Sequence, residues 1–402
     1  MNKKAPHVLI IGGGIGGPAL GLFLQKAGIQ STIFEAYPFK EGVGGGFNIA
    51  PNGVEILKAL GLAENTIKKG TISPLAFFRN GEGKQLATMK YESSIKDSQP
   101  AVSMSRATLY EIFAQELKDK NVPIHYEKRI KDITQGENSI TAHFADGTTA
   151  EGDLLVGADG INSFVRQYML PDGPKPAPTG ILGIGGFVSL DKLKHVKKEE
   201  IEALTYTFGL KGFFGHGGGD AGTILWWTNL TREQEWTREE LLNPDWKEIK
   251  KEVLETFKDY YQPIPDIIEQ TDLIMRHNIR DIQSLPTWHK GRIILMGDAA
   301  HAVSPNAGQG ASMALEDAMY LAKMLRDNET YEQAFKAFEK GRKDRCEKIV
   351  AEGRRRGGDK NIVSPFKAKI REIFMSIFFK LFGTRGMRWI MDYRINWEKD
   401  QK

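Results

Sequence analysis

The sequence predicts an α/β protein in which a Rossmann-type unit is interleaved with a β-rich unit and followed by a C-terminal helix. Three observations predict it. Val8–Ile11 is an unbroken β-branched and aliphatic run that enters a glycine-rich turn and then a helix pattern. Two more buried-strand patterns, in Asp153–Gly160 and Arg292–Met296, lie far down the chain and also run into turns. Between them, Gly180–Leu190 and Tyr206–Leu230 are strand-rich and crowded with aromatic residues.

The first unit reads from its glycines. His7–Pro18 contains Gly12, Gly14 and Gly17; Ala19–Ala27 is helical, and Glu35 closes the apolar run Ser-Thr-Ile-Phe-Glu. This spacing is that of a dinucleotide-binding βαβ unit. Gly12 allows the tight turn, Gly14 admits a pyrophosphate to the backbone, and Gly17 lets helix and strand pack closely. The helix N-terminus offers free amides and partial positive charge to phosphates. Glu35 is placed to accept bonds from ribose hydroxyls. A leader or membrane span is the competing outline for residues 5–25, but six glycines make a poor spanning helix and no cleavage pattern follows.

Further along, residues 42–52 form a loop rich in glycine that includes Gly46 and Asn48, and Pro51-Asn52 starts a helix over Gly53–Leu60. Leu75–Met89 carries the hairpin signal Asn80-Gly81. Arg106 opens a helix with apolar positions at 109, 112, 113 and 117. Ile124–Asp146 reads as two or three strands. Leu241–Tyr261 reads as a helix ended by Pro263 and Pro265. Gln309-Gly310 lead into a helix over 311–325, and Tyr331–Glu352 is a long helix. Phe366–Tyr393 is amphipathic and aromatic-rich. Its longest uncharged piece, Ile373–Phe379, is far short of the roughly 20 apolar residues a span needs, so a helix packed across the body is favoured over an interfacial membrane helix.

Composition narrows the function classes. The chain has 402 residues, 41% hydrophobic and 26% charged, which suits a soluble protein with a large core. The single Cys346 excludes an intramolecular disulfide, and no His/Cys cluster predicts a metal. A cytoplasmic location is the expectation. Residues 341–402 hold 17 Lys/Arg against 8 Asp/Glu, a local +9 on a chain of net +4. Arg354-Arg355-Arg356 is the densest spot; without a recognition motif it reads as a solvated helix face rather than a nucleic-acid site.

Three separated motifs now stand in order: the N-terminal βαβ unit, Gly157–Arg166 (Gly-Ala-Asp-Gly-Ile-Asn-Ser-Phe-Val-Arg), and Gly297–Gly310 (Gly-Asp-Ala-Ala-His-Ala-Val-Ser-Pro-Asn-Ala-Gly-Gln-Gly). The chain resembles the group A FAD-dependent monooxygenases of the p-hydroxybenzoate and salicylate hydroxylase type, with their tetracycline-inactivating relatives, over nearly its whole length. The resemblance implies that Gly12, Gly14, Ile15 and Gly17 hold the FAD pyrophosphate, Glu35 the adenosine ribose and Arg106 the diphosphate region. It places Asp159 and Gly160 in a second motif that touches FAD and is implicated in NAD(P)H binding. Asp298 would bond the ribityl chain, and Pro305, Gly308, Gln309 and Gly310 would line the isoalloxazine ring, with Gly46 and Asn48 on the loop passing the flavin. Asp298 as a mere cap, Asp159-Gly160 as an ordinary turn and Arg106 in a surface ion pair are the competing structural readings.

The resemblance further implies that NADPH or NADH reduces FAD and that O2 then gives a flavin hydroperoxide, which hydroxylates an aromatic or polycyclic small molecule. No metal, nucleic acid or integral membrane segment is expected, and the chain would act as a monomer or homodimer. A flavin-dependent reductase or dehydrogenase, an epoxidase and a non-enzymatic flavin carrier are the alternatives. The FAD domain would take 1–74, 101–175 and 281–360, the substrate domain 75–100 and 176–280, and the C-terminal helical segment 361–402. Phe213, Phe214, Trp226 and Trp227 are candidates for the substrate cavity wall, though Trp226 and Trp227 cannot share a face on a regular strand. His216 is a polar candidate to orient a phenol or take a proton; a plain loop histidine is the other reading.

Overall fold

The computed structural model describes residues 6–39, 45–231, 234–242, 245–357, 364–382 and 385–398. Strand His7–Ile11 lies inside a six-stranded sheet because its residues are apolar on both faces. Its parallel neighbours are Gln30–Phe34 on one side and Leu154–Gly157 on the other. Ile293–Leu295 pairs in parallel with Leu154–Gly157, so the sheet joins strands more than a hundred residues apart. Helix Gly16–Lys26 covers one face and packs on helix Gly310–Asp327.

The second large sheet has seven strands. In order these are Ile274–Asp281, Ala177–Ser189, Thr223–Thr231, Phe213–Gly218, Ala203–Phe208, Leu75–Asn80 and Gln85–Lys90. Helices Trp246–Phe257 and Ile264–Gln270 bury Ile249, Val253, Phe257, Ile264, Ile267 and Ile268 in one core with Phe214 and Trp226. The expected helix over Leu241–Tyr261 is divided. Arg238–Leu242 and Trp246–Phe257 are separate helices, residues 243–244 lying outside the described chain. Pro263 and Pro265 do not end a helix but start the next, where the lost amide costs nothing. Pro51 does the same for helix Pro51–Ala59.

A small three-stranded sheet of Gly46–Ile49, Val102–Ser105 and Thr71–Ile72 packs against the second large sheet. Gly46 belongs to this junction: a Cβ there would meet Leu225 Cδ1 at 2.4 Å and Phe187 Cζ at 2.7 Å. Long helix Tyr331–Gly357 runs past both large sheets. Its Arg354 forms a bidentate ion pair with the fully buried Asp281 of the second sheet, and Arg355 and Arg356 bond Glu352. Arg354 is thus taken up by the fold, while Arg355 stays on a solvated helix face. Helix Pro365–Phe382 packs its inner side on strand Gln85–Lys90. Among the described residues no helix is long and apolar enough to cross a membrane.

Candidate active site

The glycine-rich turn is shaped by what it packs against. Gly12 has φ +117°, and a Cβ there would strike Ala158 O at 2.2 Å; one on Gly17 would strike Gly12 O at 1.9 Å. Gly14 alone of the three faces open space, with only the Tyr110 hydroxyl at 4.0 Å. The helix start at Ile15 has no side-chain cap, which leaves its amides for a ligand. Glu35 reaches this turn: it accepts from Gly13 N at 2.6 Å and from Tyr37 N at 2.9 Å.

Tyr110 marks where the separated motifs converge. Burial raises its phenol, Arg106 opposes that, and Glu35 and Asp298 add to it, so all three charged groups face one ring. Tyr110 went unnoticed in the sequence because it occupies a plain helix position. Arg106 is exposed at the start of helix Arg106–Asp119, where Ser105 caps by accepting from Thr108 N. Asp298 is exposed at the first position of helix Asp298–His301 and gives no side-chain cap there, which disfavours the cap reading.

The Gly297 bend, at φ +56°, is held from below. Gly297 N donates to Asp317 Oδ2 at 2.9 Å, and the His301 ring lies 2.6 Å from the same oxygen. Arg342 Nε donates to Asp317 Oδ1 at 2.8 Å. Burial pushes Asp317 up, but His301 and Arg342 outweigh it and bring the carboxyl down to about 2. His301, Asp317 and Cys346 are metal-ligating types within 4.8 Å of one another. The Arg342 guanidinium on Asp317, 3.6 Å from Cys346 Sγ, already supplies the positive charge there. Sequence reasoning also passed over Arg166, which is buried and donates to Ala299 O at 3.0 Å and Ile161 O at 2.6 Å, stapling the second motif to the third.

Asp159 caps the same turn by accepting from Val165 N at 3.1 Å, and Gly160 follows at φ +77°. Burial holds the Asp159 carboxyl above its ordinary value against hydrogen bonds from Ser163 and Val165. Asn48 donates to Ser103 Oγ at 3.0 Å, and buried Gln309 accepts from Asn52 at 3.0 Å. Asn48 Oδ1, Asp159 Oδ1 and Gln309 Nε2 are buried without a protein partner. Such groups cost about 1–3 kcal/mol each unless a ligand or water completes them. Together with the open Gly14 cradle, they fit a large polar cofactor. Pro305 is exposed, and Gly308 is left-handed at φ +62°.

The aromatic candidates divide between two faces of the seven-stranded sheet. Trp227 lies opposite Gly215 and Gly185, and only glycine lets its ring lie flat: a Cβ on Gly215 would sit 2.3 Å from Trp227 Cε2. Tyr206 shares that face, edge-on to Trp227 at 5.8 Å and next to Phe213 at 6.1 Å. The face meets the third motif, where Asn229 donates to Asn306 at 3.3 Å and the Tyr91 hydroxyl lies 3.4 Å from a Cβ built on Gly308. Burial, against Arg356, pushes the Tyr91 phenol up to about 12.

Phe214, Trp226 and His216 point the other way and, contrary to the expectation from sequence, are sealed off from any cavity wall on the Trp227 face. Phe214 stacks on Trp226 at 5.4 Å beneath the helices, and Trp226 Nε1 donates to Thr271 Oγ1 at 2.8 Å. His216 is wholly buried there with both ring nitrogens unpartnered; burial and then Arg79 push it down to about 3. The histidine on the motif-facing side is His277. Its register partner is Gly183, where a Cβ would come within 2.6 Å of His277 Nε2. It keeps an accessible edge, yet the protein crowded around it and then Arg106 push it down to about 4.

A parallel sheet bearing an open glycine cradle, and two distant motifs gathered on the same cleft, define a nucleotide-binding flavoprotein. A family model described as FAD binding domain matches residues 6–352, and the chain belongs to that family. It is an FAD-dependent monooxygenase, an oxidoreductase. It is 30% identical over 376 residues to an aurachin C monooxygenase/isomerase of Stigmatella aurantiaca, covering 93% of this chain and 94% of the relative. It is 27% identical over 363 residues to a 6-hydroxynicotinate 3-monooxygenase of Pseudomonas fluorescens, covering 86% and 90%. Klebsiella pneumoniae HpxO complexed with FAD and uric acid shares the fold at a TM-score of 0.79 and 21% identity, over 96% of this chain and 95% of that one.

Proposed function

We propose that this chain uses NAD(P)H and O2 to hydroxylate a planar, electron-rich aromatic or heteroaromatic small molecule. The carrying observation is the sheet face bearing Tyr206, Phe213 and Trp227, two of whose rings keep accessible surface, on the side from which Asn229 bonds Asn306 of the 305–308 turn. Such a face stacks flat rings and excludes water. The named substrates of relatives, 6-hydroxynicotinate and uric acid among them, have this chemistry.

Bound FAD supplies the redox and oxygen-activating chemistry. The chain's own residues would hold and orient. The Gly12–Gly17 turn and its helix start take the pyrophosphate, Glu35 the ribose, Arg106 the diphosphate region and Asp298 the ribityl hydroxyls. Pro305 and Gly308–Gly310 line the ring, with Asn48, Asp159 and Gly160 completing the cleft. His277, uncharged near neutral pH, is available as a proton acceptor on the substrate side. On this reading residues 1–74, 101–175 and 281–360 serve FAD, and 75–100 with 176–280 serve the substrate.

A screen of hydroxylated aromatic rings for ligand-stimulated NAD(P)H oxidation, run under isotopically labelled O2, tests the proposal. It expects one labelled oxygen in the product. Substrate reduction with no label incorporated would assign a flavin-dependent reductase instead.

A further inference from the structure

Helix Pro365–Phe382 has one docked side and one solvent-exposed side. The docked side is held by specific contacts to the second sheet. Phe379 packs on Phe78 at 4.3 Å, Ser376 Oγ donates to Leu86 O at 3.1 Å, and Glu372 accepts from Asn80 at 3.3 Å. Arg371 donates to Gly209 O at 3.0 Å. The opposite side presents Phe366, Ile370, Ile373, Phe374 and Ile377 to solvent, from 51% to 76% exposed. Their spacing of three and four places them on one stripe along the helix. The stripe amounts to roughly 600 Å² of apolar surface, the upper end for the largest patch on an ordinary monomer.

Charge selects what covers it. Besides Arg371, which is bonded on the docked side, Pro365–Arg388 contains Lys367, Lys369, Lys380, Arg385 and Arg388 against the single acid Glu372. That acid is on the docked side, bonded to Asn80 and 3.9 Å from the largely exposed Lys369. An apolar stripe among cations, with phenylalanine prominent in it, is the composition of a helix that lies in the plane of a bilayer interface. A second copy of the chain fits less well. Self-pairing would oppose like charges, and the stripe falls short of the roughly 800 Å² per partner of a stable interface.

We infer that the outer face of helix Pro365–Phe382 seats the protein on an anionic lipid surface, the apolar stripe entering the acyl boundary and the flanking lysines meeting lipid phosphates. The helix lies on the membrane and does not span it.

The test is vesicle flotation of the full FAD-loaded chain with phosphatidylglycerol-containing and pure phosphatidylcholine vesicles. The bound fraction should be at least tenfold higher on the anionic vesicles and should fall as salt rises. Ile373→Ser with Phe374→Ser, both solvent-facing, should cut binding tenfold or more while FAD content and Tm stay as in the parent. Lys367→Glu with Lys369→Glu should reverse the preference for anionic lipid. No flotation on anionic vesicles overturns the inference. So does a lipid-free dimer that the serine pair converts to monomer, which would assign the stripe to self-association. If the serine pair loses FAD, the lysine pair decides: unchanged lipid preference overturns the inference.

Discussion

The two faces of the seven-stranded sheet are made by the same strands and do opposite work. On one, Phe214 and Trp226 are fully buried under helices Trp246–Phe257 and Ile264–Gln270. On the other, Trp227 and Tyr206 keep accessible surface, on the face from which Asn229 bonds Asn306 of the turn that carries Pro305 and Gly308. Adjacent tryptophans thus fall on a sealed and an accessible face, and each histidine follows its face: His216 is buried, His277 is exposed. The lesson is that residue type says little here; the layer packed on each face decides the role.

The sharpest way to break this comparison is Trp226→Ala. It should cost about 3–5 kcal/mol, read as a lower urea midpoint, with peroxide released per NAD(P)H oxidised unchanged. Peroxide rising in this variant would put the cavity on the wrong face.

His216 sharpens it through pH. Its folded pKa of about 3 lies below the unfolded value near 6.5, so the unfolded chain binds the proton first. Its contribution to stability is complete above pH ~6.5 and falls by about 1.4 kcal/mol per pH unit below that, toward pH 3. His216→Leu should flatten the decline between pH 6.5 and 5 in denaturant titrations, and at pH 7 it should be no less stable than the parent. An unaltered slope would mean the ring is not sealed.

Trp227→Ala should do the reverse of Trp226→Ala. We expect under about 2 kcal/mol of destabilisation, because the ring is only partly buried. Water admitted beside the flavin should raise peroxide yield several-fold while hydroxylated product falls, measured by peroxide assay and product mass. The smallest effect is His277→Gln, expected within about 0.5 kcal/mol at pH 7 by thermal melt, since the ring borders an open cleft. A loss as large as that of Trp226→Ala would show His277 to be core.

Much of the first sheet was legible because its signals are local. Gly12–Gly17 and Glu35 lie within one βαβ unit, and the turns at Gly160 and Gly297 directly follow apolar strands. Period-two alternation told that Trp226 and Trp227 part company, but not which goes where. That depends on helices contributed by residues 246–270, a long-range fact. In Phe-Phe-Gly-His-Gly-Gly every residue is buried, so polarity carries no orientation signal and His216 could not be assigned a side. Tyr110, His277 and the Arg342–Asp317–His301 brace were missed for the same reason: each gains meaning from residues distant in sequence.

The pairing of Leu154–Gly157 with Ile293–Leu295 also sets an order of events during synthesis. The first sheet keeps an open edge at Leu154–Gly157 until residue 295 has left the ribosome. At about 5–20 residues per second that interval lasts on the order of ten to thirty seconds. An unpaired, wholly apolar strand is a template for wrong partners throughout that time. The intervening strands from Ala177 to Asp281 are complete before the edge is closed, so the second sheet can form first and present the last strand to its slot. The nascent chain's vulnerability to aggregation is therefore concentrated in this window.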